Sequence, residues 1–196
     1  MIERKAEIKR DTNETSIAVS ILIDGKGNSS VNTGVGFLDH MLTLLAKHGS
    51  FDLDVFAKGD LQVDGHHTIE DVGIVLGQAL KKAAGDRVST CRYGNAVVPM
   101  DESIAQVTLD YSGRPFLVFN CIMSEEKIGQ FDTSMTEEFF RAVAFNSGMT
   151  LHINVDYGKN AHHMVEAIFK AFARALKQAL TIDKDIEGVL SSKGVF

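Results

Sequence analysis

Tryptophan is absent from the 196 residues, and cysteine and proline occur only twice each, at Cys91 and Cys121 and at Pro99 and Pro115. Two isolated cysteines without a CxxC pair exclude a disulfide framework and a thiolate-built zinc site. Neither sits in a nucleophile's sequence context, so both read as buried structural residues. No apolar run approaches the roughly 18–20 residues that cross a bilayer. The charged start, Met1-Ile2-Glu3-Arg4-Lys5-Ala6-Glu7, lacks the apolar stretch of a secretory signal. Basic residues are in the minority too: 20 Lys and Arg face 26 Asp and Glu, for a net charge of −6. That balance argues against broad nucleic-acid binding, which needs a cationic surface. Several catalytic formats are missing as well, among them GxxxxGK[ST], HExxH and GxSxG, and Gly34-Val35-Gly36 lacks the third glycine of a dinucleotide fingerprint. What remains is an ordinary globular composition, 44% hydrophobic and 23% charged, long enough to bury a core without staples. The expectation is an acidic cytoplasmic protein with neither nucleic acid nor membrane as a partner.

Hydrophobic spacing predicts strands over 2–9 and 15–23, a short helix over 37–47 stopped at Gly49, a strand over 51–57 and a loop over 58–65. A long helix is expected from Thr68 to Ala84, with Ile69, Val72, Leu76, Ala79, Leu80 and Ala83 on one stripe and Gly85 ending it. The second stretch repeats this order: strands over 104–110 and 116–120, a helix over 137–145, a strand over 151–155, a loop over 157–161, then a helix over 162–180. Each half alone would leave an apolar helix face uncovered, so the paired helices should pack between two sheets. Residues 1–196 therefore read as a single α+β domain, an internal duplication with half-repeats of about 1–90 and 91–196.

Both long helices are approached through one motif, His66-His67-Thr68-Ile69-Glu70 and His162-His163-Met164-Val165-Glu166, 96 positions apart. Residue frequencies give an HHxxE match about a 7 × 10⁻⁵ chance at any start position, so two in register signal duplication. On a helix the first histidine and the glutamate are i, i+4 and the second histidine and the glutamate i, i+3, which puts both pairs within reach of one face. Adjacent histidines diverge by roughly 100°, one helical step, so they more naturally serve two different ions. His40 and His152 are candidate third imidazoles. Imidazole and carboxylate without thiolate favour a catalytic Mn, Fe, Co or Zn site. His48, in the predicted last turn of its helix, has the weakest claim to metal, since it can simply complement the dipole. Arg92, Arg114, Lys170 and the tail Ser191-Ser192-Lys193-Gly194 are the cations and donors available to a phosphate; taken alone, each is ordinary surface charge or tail.

The chain resembles the imidazoleglycerol-phosphate dehydratases over nearly its whole length. The resemblance rests on Asn13-Glu14-Thr15, Gly34-Val35-Gly36-Phe37-Leu38-Asp39-His40-Met41-Leu42, both HHxxE motifs with their flanks, and Cys91-Arg92-Tyr93-Gly94. It continues through Pro99-Met100-Asp101-Glu102, Tyr111-Ser112-Gly113-Arg114-Pro115 and the Ser191–Gly194 tail. Leu38 and Gly65 depart from the family pattern without touching a proposed ligand, and the expectation is the monofunctional form, without a fused phosphatase domain. The resemblance implies the ribosomal protein S5 domain 2-like fold, with helices between two mainly antiparallel sheets. It implies dehydration of imidazole glycerol phosphate to imidazole acetol phosphate in histidine biosynthesis, with two Mn²⁺ ions per active site. Metal ligands carry over to His40, His66, His67, Glu70, His152, His162, His163 and Glu166. Substrate contacts carry over to Glu14, His40, His48, Arg92, Arg114, Lys170, Ser191, Ser192 and Lys193. Glu14 would transfer the proton, with Glu70, Glu166 and His48 completing the catalytic set. A 24-subunit homo-oligomer with active sites shared between subunits is also implied. The chemistry expected is loss of the ring N–H to a metal-bound imidazolate, expulsion of the neighbouring hydroxyl to a diazafulvene-like species, then proton removal from carbon.

Two other readings use the same residues. A dinuclear hydrolase would activate water on the same ligands, and a metal-storage or metal-built assembly protein would bind ions without chemistry. The scattered Arg92, Arg114, Lys170 and Lys193 speak against the store, which has no use for them.

Overall fold

A computed structural model describes residues 3–194; Met1 and Ile2, the latter assigned to the first predicted strand, lie outside the described residues. The strands are β1 (Lys5–Asp11), β2 (Thr15–Leu22), β3 (Ser29–Asn32), β4 (Asp52–Gly59), β5 (Tyr93–Met100), β6 (Ser103–Asp110), β7 (Phe116–Asn120), β8 (Lys127–Ile128), β9 (Phe131–Asp132) and β10 (Thr150–Tyr157). The helices are α1 (Gly36–Gly49), α2 (His66–Ala84), α3 (Met135–Ser147) and α4 (Ala161–Leu180). Two four-stranded sheets result, ordered β1-β2-β4-β3 and β5-β6-β10-β7, beside a small β8-β9 hairpin. In each large sheet the edge strands β3 and β7 run parallel to β4 and β10, and the other pairs are antiparallel. The mixed α+β class with two mainly antiparallel sheets is as expected.

The strand pairing between halves differs from the periodicity reading. Residues 104–110 are β6, the counterpart of β2 and not of β1, because β5 precedes them; likewise residues 116–120 are β7, the counterpart of β3. β5 escapes pattern recognition because Gly94 and Pro99 interrupt Tyr-Gly-Asn-Ala-Val-Val-Pro-Met. As an edge strand it tolerates a proline that cannot donate to a ladder. β3 is four residues, Ser-Ser-Val-Asn, and carries too little apolar pattern to be read.

The helices lie between the sheets, α2 on β1 and β2 and α4 on β5 and β6, with α1 against α4 and α2 against α3 across the halves. Alternate residues Ile17, Val19 and Ile21 of β2 and Ala105, Val107 and Leu109 of β6 point inward and join the helix stripes in one continuous core. α4 carries the largest part of it, from Val165 to Leu180. Close approach of α2 and α3 depends on Gly73 and Gly77, one turn apart. A Cβ at Gly77 would stand 2.8 Å from the Val143 carbonyl oxygen and 2.8 Å from the Asn146 Cβ. Gly77→Val is therefore expected to destabilise the protein by about 3 kcal/mol, as overpacking against backbone does, measured by urea unfolding.

Among the described residues no helix is long and apolar enough to cross a membrane. Cys91 and Cys121 are free and half-buried, so the expected full burial does not hold. Burial pushes the Cys121 thiol up to about 11, which leaves it a poor nucleophile.

Candidate metal centre and active site

Both long helices start earlier than their apolar stripes suggest. α2 begins at His66, whose backbone N–H donates to Asp64 Oδ1 at 2.8 Å. α4 begins at Ala161, where the Asn160 side chain accepts from the N–H groups of His162 at 2.8 Å and His163 at 3.4 Å. Such caps satisfy donors that a first turn leaves open. Both histidine pairs thus ride on the first turn of a long, core-packed helix.

At α4 three side chains converge. His40, from α1, places Nε2 3.4 Å from Glu166 Oε2, and His162 places its own Nε2 3.3 Å from the same oxygen. The donor atoms of His40, His162 and Glu166 all lie within 4.8 Å of one another, close enough to hold one metal ion. Two imidazoles and a carboxylate with no thiolate suit a divalent ion that keeps open positions. Glu166 is buried, and its other oxygen meets Lys170 Nζ at 2.5 Å. Burial pushes the Glu166 carboxyl up, but the hydrogen bond and charge of Lys170, then His40, outweigh it and hold the group below its ordinary value. The ring of Phe37 packs edge-on against His162 at 5.0 Å between centroids and against the buried Phe131 at 5.1 Å, which fixes the imidazole from its apolar side. His48, in the last turn of α1, has its imidazole pushed down by burial, with the Lys170 and Arg174 charges adding to it, so it is neutral at neutral pH.

At α2, His66 Nε2 lies 3.9 Å from Glu70 Oε2, and His67 Nδ1 faces both Asp60 carboxylate oxygens at 3.0 and 3.2 Å. The hydrogen bond to Asp60 raises the His67 imidazole. Glu14 Oε2 stands 3.8 Å from that same Nδ1. The turn holding Glu14 is pinned: Thr12 Oγ1 accepts from the Glu14 N–H at 3.1 Å, and Thr15 hydrogen-bonds the buried Asp71 of α2, itself paired with Arg10 at 2.6 Å. The β8-β9 hairpin stands between this cluster and the other. Val35, Gly129 and Gln130 line a cleft on each side, one reaching His66 and the other His40 and His162.

The remaining candidates gather elsewhere. Arg92 pairs with Asp110 at 2.7 Å, donates to the Leu190 carbonyl at 2.6 Å, and lines a cleft with Ser191 and Ser192. Burial raises the Asp110 carboxyl, but the Arg92 hydrogen bond and charge reverse the shift and hold it low. Arg114 approaches Asp110 at 3.5 Å and is otherwise exposed, as is Lys193. His152 is exposed on β10, two positions from Thr150, whose register partner is Asp110. It faces away from the buried Leu151 and Ile153, on this outer side of the sheet and not toward His162. One chain thus brings His40, His162 and Glu166 together with Lys170 and His48. It keeps Glu14, His66, His67 and Glu70 in a second group, and His152, Arg92, Arg114, Ser191, Ser192 and Lys193 out of both.

Asp60 and Glu102, the carboxylates on His67 and His163, were not singled out as site residues by the sequence. Glu102 immediately precedes β6 as Glu14 immediately precedes β2, a parallel that becomes visible only once β5 is known.

The imidazoleglycerol-phosphate dehydratase family model matches residues 33–176. The chain is 60% identical over 194 residues to the imidazoleglycerol-phosphate dehydratase of Acetivibrio thermocellus, covering 99% of this chain and 100% of that one. It is 56% identical to that of Geobacter metallireducens, covering 98% and 99%. Among solved structures it resembles the Staphylococcus aureus enzyme with a TM-score of 0.83 at 47% identity, over 91% of this chain and 99% of that one. It resembles the Pyrococcus furiosus enzyme with a TM-score of 0.83 at 35% identity, over 96% and 100%. The activity is that of a hydro-lyase acting on a small molecule, which sets aside the hydrolase and metal-store readings. By its full-length matches and by its fold, the chain belongs to the imidazoleglycerol-phosphate dehydratase family of histidine biosynthesis.

Proposed function

We propose that the chain dehydrates imidazole glycerol phosphate to imidazole acetol phosphate with two Mn²⁺ ions per active site, as a cytoplasmic single-domain enzyme of two half-repeats. The observation that carries the metal requirement is the convergence of His40, His162 and Glu166. Of the eight expected ligands, these three would hold one ion, and His66, His67, Glu70, His152 and His163 would complete the two sites, with adjacent histidines going to different ions. A bound divalent cation supplies positive charge beside a substrate nitrogen or oxygen and so lowers the cost of an anionic ring. Glu14, exposed and free of close hydrogen-bond partners on its side chain, would accept the carbon-bound proton at Oε2. His48, neutral beside Lys170, would orient the substrate.

Helix length supports completion of the site by a second subunit. The Arg92 N–H donates to the Ala179 carbonyl near the end of α4, whereas His163 lies at its start. That stretch of helix is about 24 Å long at 1.5 Å per residue, far beyond the reach of a five-membered ring carrying a three-carbon phosphate chain. If Arg92, Arg114, Ser191, Ser192 and Lys193 hold the phosphate of a substrate bound at a histidine cluster, they must come from a neighbouring copy. This supports a homo-oligomer with shared sites, the 24-subunit shell implied by family resemblance.

Chelation tests the metal requirement. The metal-free protein should lose ketone formation from imidazole glycerol phosphate, recover it with Mn²⁺, and assemble more weakly; full activity after stripping would refute the proposal. Carboxylates raise His67 and His163 in the metal-free protein, so a proton competes with each ion. Apparent Mn²⁺ affinity should therefore fall as pH drops through those raised values, by about tenfold per pH unit for each displaced proton. Equilibrium dialysis between pH 5.5 and 8 would read the slope.

A further inference from the structure

The turn Asp101-Glu102 between β5 and β6 carries part of the family-like motif Pro99-Met100-Asp101-Glu102, to which no role has yet been attached. Glu102 divides its two carboxylate oxygens between two tasks. Oε1 accepts the backbone N–H groups of Lys159 at 3.0 Å and Asn160 at 2.8 Å, together with Ser103 Oγ at 3.1 Å. Oε2 lies 2.7 Å from His163 Nδ1. An ionised carboxylate only accepts, so Nδ1 must carry the hydrogen and donate. Neutral His163 is thereby held with its lone pair on Nε2. The nearest carboxylate oxygen to Nε2, Asp101 Oδ2, stands 3.6 Å away, beyond a hydrogen bond. The first histidine pair repeats the arrangement, with Asp60 on Nδ1 of His67.

We infer that Glu102 is a positioning residue which fixes the tautomer and ring orientation of His163, so that His163 ligates its metal through Nε2. This rests on the proposal above that His163 is a ligand. Carboxylates behind metal-bound imidazoles act in this way generally, and their removal costs about 10–100-fold in metal affinity.

Glu102→Gln discriminates sharply, because it preserves shape while changing donors. The Gln oxygen can keep the Lys159 and Asn160 N–H groups, which leaves its NH₂ facing Nδ1. Nδ1 must then accept, the hydrogen moves to Nε2, and the ligating lone pair is gone. The opposite amide orientation sets the NH₂ against two backbone donors. Equilibrium dialysis with Mn²⁺ alone, on full-length unsubstituted, Glu102→Gln, His163→Ala and doubly substituted protein, reads the consequence. Glu102→Gln is expected to weaken one ion by about 10–100-fold with the metal-free thermal midpoint unchanged. The double variant should bind no more weakly than His163→Ala.

Unchanged binding by Glu102→Gln beside weakened binding by His163→Ala would overturn the positioning role and leave the ligand assignment standing. Unchanged binding by both would remove His163 as a ligand and the inference with it. Additive losses in the double variant would also overturn it, since Glu102 would then act through the Lys159–Asn160 turn. Should Glu102→Gln not fold, a Mn²⁺-soaked crystal of the unsubstituted chain decides directly: ligation through Nε2 supports the role, and ligation through Nδ1 overturns it.

Discussion

Glu166→Gln is expected to lower kcat/KM for imidazole glycerol phosphate by at least about a thousandfold, because a catalytic metal supplies several kcal/mol of transition-state stabilisation. The Glu166 carboxylate is the shared element of the centre: one oxygen faces His40 and His162 at 3.4 and 3.3 Å, and the other faces Lys170 at 2.5 Å. An amide of the same shape is a poor ligand for a hard divalent ion and brings no negative charge. It also leaves the Lys170 ammonium, largely buried, without its counter-charge, and an uncompensated buried charge is strongly destabilising. Two measurements check the prediction together: Mn²⁺ bound per chain and steady-state turnover. Bound metal should fall with activity. Activity within about tenfold of the unsubstituted protein, with one ion lost, would show that this centre is structural.

Glu14→Gln should produce a different signature. Loss of a general base costs about 10²–10⁴-fold in kcat, while Mn²⁺ content and KM stay near their unsubstituted values. The separation is expected because the structure anchors the Glu14 backbone, while its carboxylate approaches His67 Nδ1 no closer than 3.8 Å. Thr12 and Thr15 fix the turn, and Asp71 with Arg10 ties it to α2, so a neutral side chain of equal size changes no packing. Retained turnover would remove Glu14 from proton transfer; loss of bound metal along with turnover would make it a ligand instead.

Much of the site was legible because duplication amplifies a weak signal. One His-His pair before a helix is commonplace, but two in register with a glutamate at the same offset are not. The glutamate three and four residues on is a statement about helical faces that needs no coordinates. The family resemblance added the substrate and the phosphate-binding residues, which are scattered cations that no pattern in the chain distinguishes from surface charge.

Other features depended on chain reversal in space. β5 was illegible because Gly94 and Pro99 interrupt its pattern, and β3 because four residues with one apolar side chain carry none; β6 and β4 hold them in place. With β5 missing, the equivalence of Glu14 and Glu102 was hidden. The pairing of His163 with a carboxylate 61 positions away could not be read from local spacing. Nor could the approach of His40 to Glu166, since α1 meets α4 only through packing across the halves.

The sequence by itself determined the class of chemistry, a duplicated imidazole and carboxylate set on two amphipathic helices, because ligand identity and helical period are properties of residues in order. Only the tertiary structure decided which ligands meet. It joined His40 to His162 and Glu166 and set the β8-β9 hairpin between the two clusters. It also carried Arg92 and His152 to a different surface. Those outcomes follow from burying four helices between two sheets, a constraint on the whole chain that no short stretch of it contains.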